Sequence, residues 1–311
     1  MMTYRGLQSL GIKLSNIGFG CWQLGGHAWG RVSEEEMVKA IYRAIDGGIT
    51  LFDTAPIYGL GHSEEVLGKT LGARRKDVVI ATKVGLGWKK DETFEKYTDS
   101  SPANIEREIE SSLRRLRTDY IDLYQIHWPD HNTSLENTFR AMEKLKKAGK
   151  IRCIGCCNFS LGLLRESLQY GEIESIQIPY SLVDRKVERD ILPFCREYGI
   201  AVLAYSPIAR GLLAGNYDEK TKFEADDHRS RDIDEYFGSG KLAINLEIVE
   251  KVKVVARKLN MTPAQVALRW VLENPCVISA ISGVKNVAQV EQNASVLNVN
   301  LPEEDMGFLS G

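Results

Sequence analysis

Eight times along this chain a short apolar run is followed by a segment of helical period. The runs begin near residues 16, 49, 78, 121, 153, 175, 201 and 277. Strand–helix alternation builds a parallel sheet, because each helix carries the chain back to start the next strand in the same direction. Eight such units predict an α/β fold, a closed (β/α)8 TIM barrel. The alternative is an open doubly wound sheet, which usually places a glycine-rich turn between its first strand and a helix. Here Gly18-Phe19-Gly20-Cys21-Trp22 lacks a third glycine and leads into no immediate helix, which favours the barrel. At ~150 residues per domain a chain of 311 residues would make two, but barrels of ~250 residues and more fold as one. A single domain over 1–311 is expected.

The helix signals are local. Ser33-Glu34-Glu35-Glu36 reads as a capping box, with Met37, Ile41, Ala44 and Ile45 behind it and Gly47-Gly48 as the stop. Ser101-Pro102 opens a helix whose inner face is Ile105, Ile109, Leu113 and Leu116. Helices are expected over 64–71, 135–147, 163–169, 188–198 and 244–259, another behind the box Thr262-Pro263-Ala264-Gln265, and a last one from near Asn286. Residues 216–240 are polar and without period, which predicts a long loop after strand seven.

A net charge of −2 argues against a nucleic-acid or anionic-membrane partner, since both need a concentrated basic field. No apolar run reaches the ~18 residues of a membrane span, and the first ten residues hold no signal-peptide stretch. The six cysteines, Cys21, Cys153, Cys156, Cys157, Cys195 and Cys276, then read as reduced thiols, and a cytoplasmic location is expected. Cys153-Ile154-Gly155-Cys156 has C-x-x-C spacing, but no second pair or nearby histidine completes a zinc site. Small buried residues in a strand account for it, and no metal is expected.

In a barrel, chemistry collects where the strands end. There the chain places Asp53 with Tyr58 on the loop beyond it, Lys83, His127, Asn158 and Gln177. Taken singly, each is explained as a cap or a snorkelling side chain; together, on successive strands, they must converge. A phenol has a pKa of ~10, and an adjacent ammonium lowers it. Lys83 can act so on Tyr58, Asp53 can hold Lys83 charged, and His127 can orient a carbonyl oxygen. With no metal-ligand spacing and no Ser or Cys beside a base, the electron pair must come from a hydride cofactor. Gly283 and Lys285 precede a helix start at Asn286-Val287-Ala288-Gln289, a place for phosphate whose lysine favours NADP over NAD. Tyr205 can stack on a flat ring, and Trp22, Trp29, Trp88 and Trp128 fall near the loops of one face while Trp270 reads as helical.

These residues carry a resemblance. Asp53-Thr54-Ala55-Pro56-Ile57-Tyr58-Gly59, Ala81-Thr82-Lys83 and Gln125-Ile126-His127 resemble the catalytic motifs of the aldo-keto reductase family, in order and context. Gly155-Cys156-Cys157-Asn158-Phe159, Gln177-Ile178-Pro179-Tyr180 and Tyr205-Ser206-Pro207-Ile208-Ala209-Arg210-Gly211 resemble its cofactor segments, as does the stretch from Ile281-Ser282-Gly283 through Gln289 to Asn293. The branch is similar to bacterial reductases related to potassium-channel β subunits.

The resemblance implies a barrel that binds NADPH across its mouth and reduces aldehydes and ketones, with Tyr58 as proton donor, Lys83 and Asp53 tuning it, and His127 positioning the carbonyl. Asn158 and Gln177 would hold the carboxamide, and Tyr205 would stack on the nicotinamide. Ser206, Pro207, Ile208 and Gly211 would line the pyrophosphate, with Arg231 reaching from the long loop. Gly20, Cys21, Trp22, Asp53, Cys157, Gly283, Lys285, Gln289, Gln292 and Asn293 complete the implied cofactor contacts. Trp22, Tyr58, Trp88, His127 and Trp128 form the implied substrate pocket. Four positions depart from the family pattern: Cys157 replaces a serine, Ser282 a proline, Gln292 a glutamate and Asn216 a lysine. The implied partner is a small carbonyl compound and the chain a monomer or small homo-oligomer. Two other functions fit these residues, a redox-sensing module that holds NADP for a partner and an aldolase using Lys83 as a Schiff base.

Overall fold

The structure, a computed structural model, describes residues 2–7, 12–26, 32–89, 95–225, 227–231, 234–238 and 240–311. The chain opens with an antiparallel hairpin, β1 (Tyr4–Leu7) and β2 (Ile12–Ser15). The order continues with β3 (Ile17–Gly20), α1 (Glu34–Asp46), β4 (Leu51–Asp53), α2 (His62–Leu71), β5 (Val79–Val84) and a second hairpin of β6 (Leu86–Trp88) and β7 (Lys96–Thr98). Next come α3 (Pro102–Leu116), β8 (Ile121–Ile126), α4 (Leu135–Lys147), β9 (Ile151–Cys157), α5 (Leu161–Ser167), β10 (Ser175–Pro179), α6 (Ile191–Tyr198) and β11 (Ala201–Tyr205). The last elements are α7 (Lys241–Leu259), α8 (Pro263–Glu273), β12 (Val277–Gly283), α9 (Val287–Ser295) and α10 (Glu303–Ser310).

Eight parallel strands close a barrel in the order β10-β11-β12-β3-β4-β5-β8-β9. This is the expected (β/α)8 barrel, and closure removes the open-sheet alternative. Each strand is buried on both faces, so the strands read as near-continuous apolar runs. One face packs inward, where Leu51, Val79, Ala81, Leu123, Cys153, Leu203 and Ile278 form the barrel interior. Leu7 and Leu14 of the N-terminal hairpin join this interior cluster from the strand-start end. The other face meets the helices, as with Phe52 and Ile80 against Ile41, Leu67 and Ile109.

The helix starts follow the expected chemistry. Side chains of Ser33, Ser101, Ser134, Ser160, Thr262 and Asn286 each accept a backbone N–H of the first turn, a contact worth ~1 kcal/mol each. Thr262 and Gln265 form a reciprocal box. At Ser33 the Glu36 carboxylate instead binds Lys39 at 2.9 Å. The expected helix over 188–198 is shorter, starting at Ile191. Pro193 has no N–H and is tolerated only in a first turn. The helix from Asn286 is not the last, since α10 follows it. The chain over 216–240 is a long connection whose described part holds one short 3-10 turn, His228–Ser230. No described helix is long and apolar enough to cross a membrane. Trp29 lies outside the described residues.

Candidate active site

The register brings the polar strand ends to one rim. Gly20 pairs with Asp53, Lys83 with Gln125, Gln177 with Cys157, Tyr205 with Ile281 and Gly283 with Gly20. Above this rim opens a cavity of about 890 Å³, near the upper end of small-molecule sites (~300–1,000 Å³).

Lys83 is the centre of the polar cluster. Its ammonium donates to both Asp53 oxygens at 2.9 and 2.8 Å, to the Thr54 carbonyl at 3.0 Å and to the Tyr58 hydroxyl at 3.4 Å. Lys83 is 1% exposed and Asp53 4%, so the ion pair is dry. Burial opposes the Lys83 charge most, but Asp53, with smaller help from Tyr58 and Cys157, more than offsets it and holds the ammonium above its ordinary pKa. The Gln177 amide donates to Asp53 at 2.7 Å.

The Tyr58 hydroxyl does not titrate as the sequence suggests. Burial pushes it up to about 12, and the pull of Lys83 is smaller and partly undone by Asp53. Lys83 acts in the expected direction, but desolvation of a phenolate costs more. The His127 ring lies edge-on to Tyr58, centroids 6.1 Å apart. Burial, then Lys83 and Lys96, keep its imidazole well below the usual pKa, so it is neutral and can donate one N–H. Trp22 stacks on the other side of Tyr58 at 5.8 Å.

Farther along the cavity, the Tyr205 hydroxyl donates to Asn158 at 3.0 Å, and Asn158 donates to the His127 carbonyl at 3.2 Å. Both hold a flat ring and an amide at the cavity floor. The backbone is unusual here: Asn158, Ser206, Ala209 and Arg210 have φ of 60°, 52°, 48° and 54°. Non-glycine residues in this region are uncommon and gather at ligand sites. At the far end, the carboxamide of Asn286 caps Gln289 at 3.0 Å and Gln289 accepts from the Lys285 amide at 2.7 Å. Both bonds use groups that the sequence offers to phosphate, so positive charge there rests on Lys285 and Arg229. Arg229 is fixed by Asp227 and by the Tyr217 hydroxyl at 2.7 Å. Ser282 accepts from Asn293 at 3.1 Å and Gln292 donates to Thr262 at 2.6 Å.

Of the residues singled out in the sequence, Gly20, Trp22, Asp53, Tyr58, Trp88, His127, Trp128, Asn158, Gln177, Tyr205, Ser206, Pro207, Ile208, Gly211, Arg231, Gly283, Lys285, Gln289, Gln292 and Asn293 all line the cavity. Lys83 lies just beneath it. Cys21 and Cys157 do not line it: both are buried, and burial pushes both thiols up. The sequence left unmarked Gln23, Lys96, His228 and Arg229, which line it too. Lys96 sits on a three-residue strand with no apolar period, and Arg229 is placed by partners that adjoin it only in the folded loop. A run of His228, Arg229 and Arg231 in an otherwise aperiodic stretch was the available signal. Among the described residues, no group of three or more His, Cys, Asp or Glu could hold a metal.

A family model described as Aldo/keto reductase family matches residues 16–310. The chain is 38% identical over 307 residues to aldo-keto reductase YhdN of Bacillus subtilis, across 98% of this chain and 91% of that protein. It is 36% identical to the NADH-specific methylglyoxal reductase of Escherichia coli, across 94% and 93% of the two. The solved glycerol dehydrogenase AKR11B4 from Gluconobacter oxydans superposes with a TM-score of 0.88 at 36% identity, covering 99% of this chain and 93% of that one. With the closed barrel and the cluster around Lys83, these matches make the chain a member of the aldo/keto reductase family, oxidoreductases that act on carbonyls with a nicotinamide cofactor.

Proposed function

We propose that the chain reduces aldehydes and ketones to alcohols with NADPH, and that Tyr58 gives the proton. The observation that carries this is the contact line Asp53–Lys83–Tyr58 with neutral His127 edge-on to Tyr58, at the wall of a cavity of about 890 Å³. The residues fit that cofactor. Asn158 and Gln177 present amide groups, Tyr205 a ring, and Lys285 and Arg229 positive charge, all on the lining of the same cavity. Gly283 leaves room where a Cβ would meet the Gln23 amide at 2.3 Å. When bound, the cofactor supplies a hydride to the carbonyl carbon.

The chain's own groups do the rest. His127 donates its N–H to the carbonyl oxygen and sets its position. Tyr58, protonated throughout the neutral range, transfers its proton as negative charge grows on that oxygen. Lys83 then stabilises the phenolate until solvent reprotonates it, and Asp53 holds Lys83 in place. A Schiff-base role for Lys83 is disfavoured, because the ammonium is charged and engages three acceptors besides Tyr58. The six cysteines are free thiols, which suits the reducing cytoplasm as the setting.

The test is cofactor oxidation over a panel of aromatic aldehydes, dicarbonyls and sugars, with NADPH and NADH in parallel. Tyr58→Phe should lower kcat by about 10²–10⁴ while NADPH binding persists. Turnover near wild type in Tyr58→Phe removes the proton-donor role. Slow cofactor exchange with no turnover on any carbonyl supports the redox-sensing alternative. Lys285→Ala should weaken NADPH more than NADH, and equal loss for both removes the preference.

A further inference from the structure

Among the described residues, the catalytic mouth holds more positive charge than its acids neutralise. Three carboxylates among the described residues line the cavity, Asp53, Asp234 and Glu235. Asp53 is bound by Lys83, and Asp234 and Glu235 are both bound by Arg210. Lys96 and Arg231 line the same cavity, and neither forms an ion pair among the described residues. The Lys96 ammonium lies 5.0 Å over the Trp88 ring, so an aromatic face, not a carboxylate, holds it.

The cations fall into two groups. Lys285, just before α9, has its pKa lowered by burial and then by Arg229, against a smaller pull from Asp227. Lys96 is lowered by burial and then by Arg231 and Arg210. His228 is lowered by burial and then by Arg210, Arg231 and Lys96, and His127 also responds to Lys96. Arg231, which the resemblance would send to the pyrophosphate, lines the cavity three residues beyond His228, whose ring meets Trp22 edge-on, and Trp22 stacks on Tyr58; we group it with Lys96. Trp88 lies under Lys96, and Trp128 lines the same cavity. A cavity with an aromatic wall and two cations that have no ion-pair partner among the described residues suits a ligand with an apolar body and an anionic end.

We propose that the substrate is a carbonyl compound bearing an anionic group, a carboxylate or a phosphate, that meets Lys96 and Arg231 while its carbonyl oxygen lies between Tyr58 and His127. This rests on the reductase reading and adds the substrate class. The reaction is unchanged: one hydride and one proton add across the carbonyl, and the anion takes no part in bond making.

The test compares charged and neutral partners under saturating NADPH. One pair is 4-carboxybenzaldehyde and the methyl ester of the same acid; the other is glyceraldehyde 3-phosphate and glyceraldehyde. The expected result is a kcat/KM about tenfold higher for the anionic member of at least one pair, the scale two partly exposed ion pairs support. Which pair shows it separates carboxylate from phosphate. Raising salt from about 0.05 M to about 0.5 M should erode that preference, since the screening length shortens severalfold. Lys96→Gln with Arg231→Gln should bring the ratio near one, and Lys96→Glu should invert it. Equal or higher kcat/KM for both neutral members overturns the proposal alone, as does a preference untouched by salt and by the double variant. Reduction of none of the four overturns the reductase reading, and this proposal with it.

Discussion

The Tyr58 hydroxyl lies 3.4 Å from the Lys83 ammonium, yet it is held above, not below, the pKa of a free phenol. The ammonium is matched by a carboxylate at 2.8 Å, so Tyr58 faces a nearly neutral pair from inside a dry wall. Lys83 thus serves the phenolate only once the proton has left, when a negative charge has replaced the hydroxyl. Tyr58 is a poised acid and not a standing phenolate.

Carbonyl reduction should therefore stay flat through the range where a free tyrosine titrates, ~10, and fall only as pH approaches about 12. The sign follows from the role: reduction needs the protonated phenol, so rate is lost as pH rises through the folded pKa. Alcohol oxidation needs the phenolate and should rise over the same interval. Since Asp53 adds to the elevation, Asp53→Asn should move the alkaline limb to lower pH. A wild-type limb centred at or below the free-phenol value contradicts this account of the site.

The Asp53–Lys83 pair sets stability as well as chemistry. Removing one partner leaves an uncompensated charge in the core, which costs about 3–5 kcal/mol. Asp53→Leu and Lys83→Met should each approach that loss in urea unfolding without cofactor. The double variant should lose far less than their sum, because an apolar pair of similar volume carries no stranded charge. Additive losses would show that the two groups are not coupled in the folded state.

How legible this site was from the sequence depended on whether burial or loop geometry placed each residue. Asp53, Lys83 and His127 each end or directly follow an apolar run, and a charge at the edge of a buried strand has few places to go. The caps at Ser33, Ser101 and Thr262 were equally visible, because a cap acts within one helical turn. Lys96 was not visible: the hairpin that aims it over Trp88 is two strands of three residues, too short and exposed to show a period. Nor was the cage around Arg229, whose tyrosine partner lies twelve residues away. The elevated pKa of Tyr58 was missed because the sequence shows the neighbouring charge but not the desolvation that outweighs it.

His228 provides a pH test of the long loop. Its ring meets Trp22 edge-on at 5.5 Å, and burial, then Arg210 and Arg231, lower its pKa to about 4. The unfolded chain takes up this proton near ~6.5, while the folded chain resists it until about 4. Stability should thus be level above the unfolded value and decline as pH falls from there toward the folded one. His127, depressed in the same direction, adds to the decline. His228→Asn should flatten part of the fall in Tm between those limits. An unchanged slope in that variant would place the loop off Trp22 in solution.

Gly25 sets the position of Tyr58 through the backbone. A Cβ at Gly25 would lie 2.7 Å from both the Tyr58 carbonyl carbon and the Gly59 nitrogen. Gly59, at φ +62°, is equally close on its own side, with a Cβ 2.2 Å from the Gly25 carbonyl oxygen. The loops after β3 and β4 thus touch main chain to main chain, and no flexible side chain can yield. Gly25→Ala must push the Tyr58 loop outward, lengthening the 3.4 Å approach to Lys83. A displacement of ~1 Å can cost ~10²-fold in rate, so kcat should fall steeply with a modest change in Tm. Gly68→Ala is the matched control: its Cβ would meet the Leu116 backbone at 2.5 Å, where α2 meets the end of α3, and not the backbone of Tyr58 or Gly59. Such overpacking costs about 1–3 kcal/mol, so this variant should lose Tm while the folded fraction keeps its kcat. If Gly25→Ala retained wild-type kcat, the loop contact would be packing alone, and Tyr58 would owe its place to Lys83 and Trp22.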